Sequence, residues 1–247
     1  MNKIYTHQPF LFKKNNKIKL LYCQSEEGDN ITSARPWKIF VKDLDSEQIL
    51  KINTPFSKIF SGDKNNALIE CNPSLHKLGN SFFLTYIKGV LYPPLKYNLV
   101  QYEVPDLDFN KIKNFNILKS NIFSGCVLNK KIYSLKGQGG KVILIEAFFK
   151  RSDAPESINC EDFNFQSFIR VNSIFEQNKL IITGLSKEPN SIHKSYIYNV
   201  DKKCVERELL NKNGDSLYKS SIIDNKLAYA IKLNGFENRE IQIEDFN

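Results

Sequence analysis

The chain has 247 residues, a formal net charge of +8 and five cysteines. It has no run of about 18 apolar residues, which argues against a membrane span, and its N-terminus does not have the pattern of a signal peptide. The cysteines have no CxxC spacing and the three histidines lie far apart, so neither a metal nor another cofactor is expected. Without a secretion signal the thiols should stay reduced, which predicts a cytoplasmic or virion-associated protein.

The positive charge comes mostly from lysines that are dispersed among predicted turns. Solvated lysines at the edge of the fold account for this pattern, and nucleic acid, an acidic polysaccharide or an anionic partner surface are the alternatives. No RNP, zinc-finger or helix-turn-helix signature is present. Nucleic acid is therefore not the expected partner.

Five hairpin-like segments follow one another along the chain. Each begins with a small or kinked residue and an apolar strand start, continues through a polar turn with Asn or Lys, and ends in an alternating apolar strand. The pattern recurs about every 50 residues, which is typical of β-propeller blades. The segments are 7–25, 71–89, 124–139, 171–187 and 219–235.

The sequence therefore predicts an all-β fold, a single five-bladed β-propeller over residues 1–247 with four-stranded antiparallel blades. The last blade offers only three strands, so residues 2–5 are expected to pair beside 239–244 and close the ring, which removes free sheet edges. The outer strand of the third blade is expected near 157–168, and short helical turns are possible at 55–66 and 105–113. The predicted blades are 7–54, 70–120, 122–168, 169–212, and 216–247 with 2–6.

The propeller layout also predicts where a ligand would bind. One face carries the starts of the inner strands and the loops between second and third strands, and such loops commonly hold binding groups. The strand starts supply His7, Gln8, Glu70, Cys71, Asn72, Phe123, Ser124, Arg170, Asn172, Tyr218, Lys219 and Ser220. From these we select His7, Glu70, Asn72, Arg170, Asn172 and Tyr218 as site residues, and the loops add Arg35 and Tyr92.

A resemblance to a known group appears in the second hairpin, NPSLHKLGNSFFLTYIKG at 72–89. This hairpin resembles the blade hairpin of five-bladed glycoside hydrolases, namely glycoside hydrolase family 43 and the invertase-like enzymes. The first blade is similar as well, with a tyrosine near the end of its second strand, then Trp37 and a KDL strand end. The resemblance implies the five-bladed fold and a carbohydrate ligand.

The resemblance also implies catalytic carboxylates on the inner strands of the first three blades, because glycoside cleavage needs two carboxyl groups at a fixed separation. Glu70, in IECNPSL, is similar to the Glu-Cys-Pro acid motif of invertase-like enzymes, with Asn72 inserted before the proline. The other two positions hold Thr-His-Gln at 6–8 and Phe-Ser-Gly at 123–125. The carboxylate set is therefore incomplete.

Each candidate residue also has a structural interpretation. Glu70 and Arg170 are typical of a buried ion pair with each other. His7 is either a hydrogen-bonded channel histidine or a general base. Trp37 either packs between blades or forms a sugar-binding lip with Arg35.

Three functions remain open from the sequence. The first is a carbohydrate-recognising propeller without the full catalytic set. The second is an active glycosidase with Glu70 as general acid and a second carboxylate from Glu26 or Glu27. The third is a non-enzymatic adaptor or structural protein in a larger assembly such as a virus particle, with a protein as its partner. Fold alone does not choose among them.

Overall fold

A computed structural model describes residues 4–26, 37–54, 68–90, 96–138, 141–148, 156–158, 160–189, 192–232 and 239–246. Within these residues the chain is all-β, with nineteen strands and two short 3-10 turns. The strands form five antiparallel sheets, and these are the blades of a five-bladed β-propeller. No helix in the described part of the chain is long and apolar enough to cross a membrane.

Four blades have four strands, and the fifth has three in the described residues. The first blade contains β1 Ile4–Lys14, β2 Lys17–Glu26, β3 Lys38–Asp43 and β4 Ile49–Lys51. The second contains β5 Leu68–Leu78, β6 Ser81–Val90, β7 Lys96–Glu103 and β8 Lys113–Ser120. The third contains β9 Ser124–Leu128, β10 Lys131–Gln138, β11 Lys141–Phe148 and β12 Glu156–Ile158. The fourth contains β13 Phe165–Ser173, β14 Lys179–Ser186, β15 His193–Asn199 and β16 Cys204–Glu208, and the fifth contains β17 Tyr218–Ile223, β18 Lys226–Lys232 and β19 Arg239–Asp245.

Short turns set the register of the inner hairpins. Asn15 and Asn16 join β1 to β2 with φ of 51° and 61°, and Asn129 and Lys130 join β9 to β10 with φ of 49° and 62°. Positive φ at both central residues is the signature of a type I′ turn, whose twist matches that of the flanking strands. Asparagine enters this left-handed region more readily than most residues. This explains the Asn-rich turns of the repeat.

The boundary between the third and fourth blades differs from the sequence prediction. The outer strand of the third blade is only Glu156–Ile158, whereas Phe165–Ser173 is the inner strand of the fourth blade. The prediction of an outer strand over 157–168 was therefore wrong in its second half. The reason is packing, because Phe163, Phe165 and Phe168 contact one another in the core between these blades, with ring centroids 5.5–5.9 Å apart. The Phe163 and Phe165 rings are stacked, and Phe168 meets both edge to face.

The N-terminal strand closes the ring, but its pairing differs from the prediction. Ile4 and Tyr5 pair with Glu26 and Ser25 in the first blade, as part of β1. The described residues contain no ladder between β1 and the fifth blade, and the predicted residues 2 and 3 lie outside them. The closing contact is a hydrogen bond from the Ile241 backbone N–H to Thr6 Oγ1 at 3.0 Å, and β1 packs against all three strands of the last sheet.

Two short helical turns were also predicted. The turn near 105–113 is present as Pro105–Leu107, and the segment 55–66 lies outside the described residues.

Gly184 is the position where the blade packing tolerates no side chain. A Cβ atom built there would lie 2.2 Å from Cδ2 of the buried Phe165 ring. We expect Gly184→Ala to lower the free energy of unfolding by about 1–3 kcal/mol, because the aromatic stack must shift. Urea denaturation measures this loss.

Gly137→Ala is the matched control, since it also replaces a glycine in the second strand of a blade. Its new Cβ would lie 3.3 Å from Phe123, whose ring is half exposed and free to give way. The urea concentration at the midpoint of unfolding should therefore change little in Gly137→Ala. Equal destabilisation by the two substitutions would contradict this account of the packing.

Candidate functional site

Three of the five inner strands bend at the same place. The pairing register shifts between His7 and Phe10 in β1, between Cys71 and Ser74 in β5, and between Tyr218 and Ser221 in β17. Bulges of this kind redirect side chains and are common beside functional sites. Each contains a buried residue in the left-handed region, and these are Gln8 (φ 59°), Asn72 (φ 55°) and Lys219 (φ 51°).

Polar side chains of the inner strands join different blades around the axis. Gln8 Oε1 accepts the Asn72 backbone N–H at 2.8 Å, and Asn72 Nδ2 donates to the Phe123 carbonyl at 3.2 Å. Arg170 Nη2 donates to the Pro9 carbonyl at 2.9 Å, and Asn172 Nδ2 donates to the carbonyl of Pro73 at 3.5 Å. We call Gln8, Asn72, Arg170 and Asn172 the axial network. It links all of the first four blades.

Arg170 is the charged centre of this network. Its side chain is buried, and within the described part of the chain its Nε and Nη1 have no hydrogen-bond partner and its guanidinium has no ion pair. Burial lowers the pKa of Arg170 to about 10 and raises the pKa of nearby Cys71 to about 11. At neutral pH the arginine is charged and the thiol is not, so the axis carries positive charge.

Glu70 lies beside the axial network but belongs to a different cluster. Its backbone N–H donates to the Trp37 carbonyl at 3.0 Å, and its Oε1 accepts from Thr54 Oγ1 at 3.0 Å. The ammonium groups of Lys88 and Lys38 each lie 3.7 Å from one of its oxygens. We call Lys38, Thr54, Glu70 and Lys88 the Glu70 cluster. The predicted pairing of Glu70 with Arg170 was wrong.

Lys88 is the buried lysine of the Glu70 cluster. Its side chain is buried, and this burial lowers the pKa of Lys88 from 10.5 to about 8, although the Glu70 carboxylate acts in the opposite direction. Sequence reasoning missed this residue. Counting outward from the turn between β5 and β6, and allowing for the bulge, does place Lys88 opposite Glu70.

Two aromatic pairs lie at the strand starts. The rings of His7 and Trp37 have centroids 4.7 Å apart at 63°, and those of His193 and Tyr218 are 4.5 Å apart at 58°. The Lys219 ammonium lies 4.9 Å from the Tyr218 ring centroid. Edge and tilted contacts fix such rings in orientation. Trp37 also connects blades, because it forms a parallel bridge to Ile69.

The predicted site residues are distributed as follows. Asn72, Arg170 and Asn172 belong to the axial network. His7 comes one residue before Gln8, which is also a member, and Tyr218 comes one residue before Lys219. Gln8 and Lys219 belong to the predicted strand starts but were not selected as site residues, and the signal for both was their place beside the repeated kink. The candidates Arg35, Tyr92 and Glu27 lie outside the described residues, as does the side chain of Glu26.

The fold matches those of known glycoside hydrolases. A GH43 β-xylosidase/α-arabinofuranosidase from a compost microbial metagenome, in complex with xylotriose, superposes with a TM-score of 0.60 at 10% identity, over 99% of this chain and 92% of that one. A GH43_1 enzyme from Xanthomonas citri gives 0.60 at 6% identity, over 99% and 88% of the two chains. A xylan β-1,4-xylosidase from Bacillus halodurans C-125 gives 0.58 at 12% identity, over 98% of this chain and 53% of that one.

No protein-family model matches the chain, and no curated protein matches it by sequence. At these identities the structural likeness establishes the fold. The resemblance expected from the hairpin at 72–89 is confirmed at that level: the chain has the five-bladed propeller of the GH43 and related glycoside hydrolases.

The Glu70 cluster predicts a pH-dependent stability effect. Glu70→Gln keeps an acceptor for Thr54 but removes the charge that faces Lys88, so we expect a loss of about 3 kcal/mol in unfolding free energy at pH 7. In wild type the folded-state pKa of Lys88 is about 8 and its usual value is 10.5. As pH rises to 9.5 the folded protein no longer carries that buried charge, so the deficit of the variant should narrow.

Denaturant unfolding at both pH values measures the deficit. Glu240→Gln is the control, since Glu240 is an exposed carboxylate on β19 and should change stability by less than about 0.5 kcal/mol. If Glu70→Gln lowers the unfolding free energy equally at pH 7 and pH 9.5, the charge of Lys88 does not interact with that of Glu70.

Thiol reactivity tests the burial of the axis. Cys204 is exposed, whereas Cys23 is fully buried and donates to Gln8 Oε1, and burial raises the pKa of the Cys23 thiol well above its usual value. With DTNB at pH 8, Cys204→Ser should remove one rapidly reacting thiol. Cys23→Ser should leave the rapid phase unchanged, and a loss of that phase in this variant would refute the assigned burial.

Proposed function

We propose that this protein is a carbohydrate-recognising propeller that binds sugar at the strand-start face without two-carboxylate hydrolysis. The carrying observation is a set of buried donors and acceptors at the axis without hydrogen-bond partners among the described residues. They are Nε and Nη1 of Arg170, Oδ1 of Asn72 and Oγ of Ser220. Sugar hydroxyls both donate and accept, so a single ligand type would satisfy all three residues.

The distribution of carboxylates supports recognition over hydrolysis. The five inner strands contain one acidic residue, Glu70. Its carboxylate is engaged by two lysines and a threonine in the Glu70 cluster. Hydrolysis of a glycoside requires a second carboxyl group about 5–10 Å away. Among the described residues of the inner strands, no such group is present.

The aromatic pairs give the proposed site its stacking surfaces. Tyr218 is half buried and held by His193, and Trp37 is half buried and held by His7. Rings that are fixed in this way lose little entropy when a sugar stacks on them. The xylotriose complex of a protein with the same fold supports a carbohydrate as the ligand class.

Binding can be followed directly, because Trp37 is the single tryptophan of the chain. Titration with xylotriose and a glycan panel should change its fluorescence saturably, and aryl-glycosides should not be turned over. Tyr218→Ala should weaken binding about tenfold, as expected for one lost stacking contact. Phe246→Ala, which removes an aromatic ring held by Arg207 after β19, is the control.

Two results would replace the proposal. Turnover of aryl-glycosides that disappears in Glu70→Gln would identify an active glycosidase with Glu70 as general acid. Silence in both the binding and the turnover assays would favour the adaptor function, and a protein partner would then be the next ligand to seek.

A further inference from the structure

A cavity lies at the end of the inner strands opposite to the strand-start site. It opens where β5, β9 and β13 end, and its volume is about 370 Å³. His76, in its wall, follows Glu70 by six residues on β5, which is roughly 20 Å along the strand. The cavity is therefore separate from the strand-start site.

Two residues that line the cavity each carry a buried polar atom with no hydrogen-bond partner in the described part of the chain. The atoms are Nε2 of His76, a residue that is 7% exposed, and Oγ of Ser173, a residue that is 2% exposed. The His76 ring is fixed, because its Nδ1 lies 3.2 Å from Thr85 Oγ1 and the ring stacks on Phe83. Buried polar groups without partners are costly, so a ligand that supplies hydroxyls would be stabilised here.

The charge of the cavity specifies a neutral ligand. Burial lowers the pKa of His76 to about 4, so its imidazole is uncharged at neutral pH. The two charged side chains in the wall, Lys77 and Glu176, have opposite signs. An imidazole in this state offers one donor or one acceptor, as a hydroxyl requires.

The remaining walls are apolar or carry amides. Leu75, Val127, Leu128 and Ile174 provide carbon surface for the C–H face of a ring, and Asn129 Nδ2 donates to Asn178 Oδ1 at the rim. The volume lies near the lower end of the range for small-molecule sites. It suits one ring better than an oligomer.

We propose that this cavity is a second binding site, which takes a single neutral, polyhydroxylated ring such as a pentose or hexose. His76 Nε2 and Ser173 Oγ bind its hydroxyls, and the aliphatic side chains contact its apolar face. The site does not depend on the function proposed for the opposite face.

Histidine side-chain NMR tests the proposal on the whole protein. The chain has three histidines, so a long-range ¹H–¹⁵N spectrum resolves His76 from His7 and His193. Titration with xylose, arabinose, glucose and myo-inositol should shift the His76 Nε2 resonance for at least one of them. Glucuronate should bind more weakly than glucose, because the cavity offers no net positive charge.

Variants separate the two sites. His76→Phe keeps the ring but removes its nitrogens, and should weaken this binding about tenfold, as expected for one lost hydrogen bond. Ser173→Ala should weaken it to a similar degree, and serves where His76→Phe does not fold. Trp37→Ala, at the opposite face, should leave it unchanged.

If no neutral sugar shifts the His76 Nε2 resonance, the proposal is overturned, and water is then the hydrogen-bond partner of this nitrogen. A shift that is lost in Trp37→Ala but retained in Ser173→Ala would also overturn it, because the ligand would then occupy the other face.

Discussion

The inner strands must satisfy their backbone groups where they face one another around the axis, and the rest of the structure depends on how they do so. An inner edge has no further ladder strand, so its buried N–H and C=O groups need other partners. Gln8 accepts from the backbone of Asn72, and Arg170 donates to the carbonyl of Pro9. Each of these bonds joins two blades, so the axial network holds the arrangement of blades around the ring.

The same network shapes the candidate site. The bulges that place Gln8 and Asn72 in their bonds hold both residues in the left-handed region, which costs free energy at non-glycine positions. They also leave Arg170 buried and charged without a carboxylate partner among the described residues. Glu70, the inner-strand acid, is held apart by Lys38 and Lys88. The axis is therefore polar and positively charged at neutral pH, and the acidic residue of the inner strands is paired with two lysines.

Predictions that rested on local sequence pattern succeeded more often than predictions of contacts between distant residues. The kinked hairpin repeat predicted five blades, and the strand starts at Asn72, Arg170 and Asn172 do meet. The Glu70–Arg170 pair was wrong, because hairpin register places Lys88 opposite Glu70. The segment around Phe165 was assigned to the wrong blade, since its alternation of apolar residues suits either an outer or an inner strand.

The sequence alone determined the all-β class, the number of blades and the inner hairpins, because alternation and turn residues act over a few neighbours and repeat along the chain. The tertiary structure alone decided which side chains meet across blades. Gln8 reaches Asn72 over 64 residues, and the side chain of Thr6 reaches Ile241 over 235. Such contacts depend on how sheets pack face to face and on where bulges turn a side chain, and no local pattern encodes either.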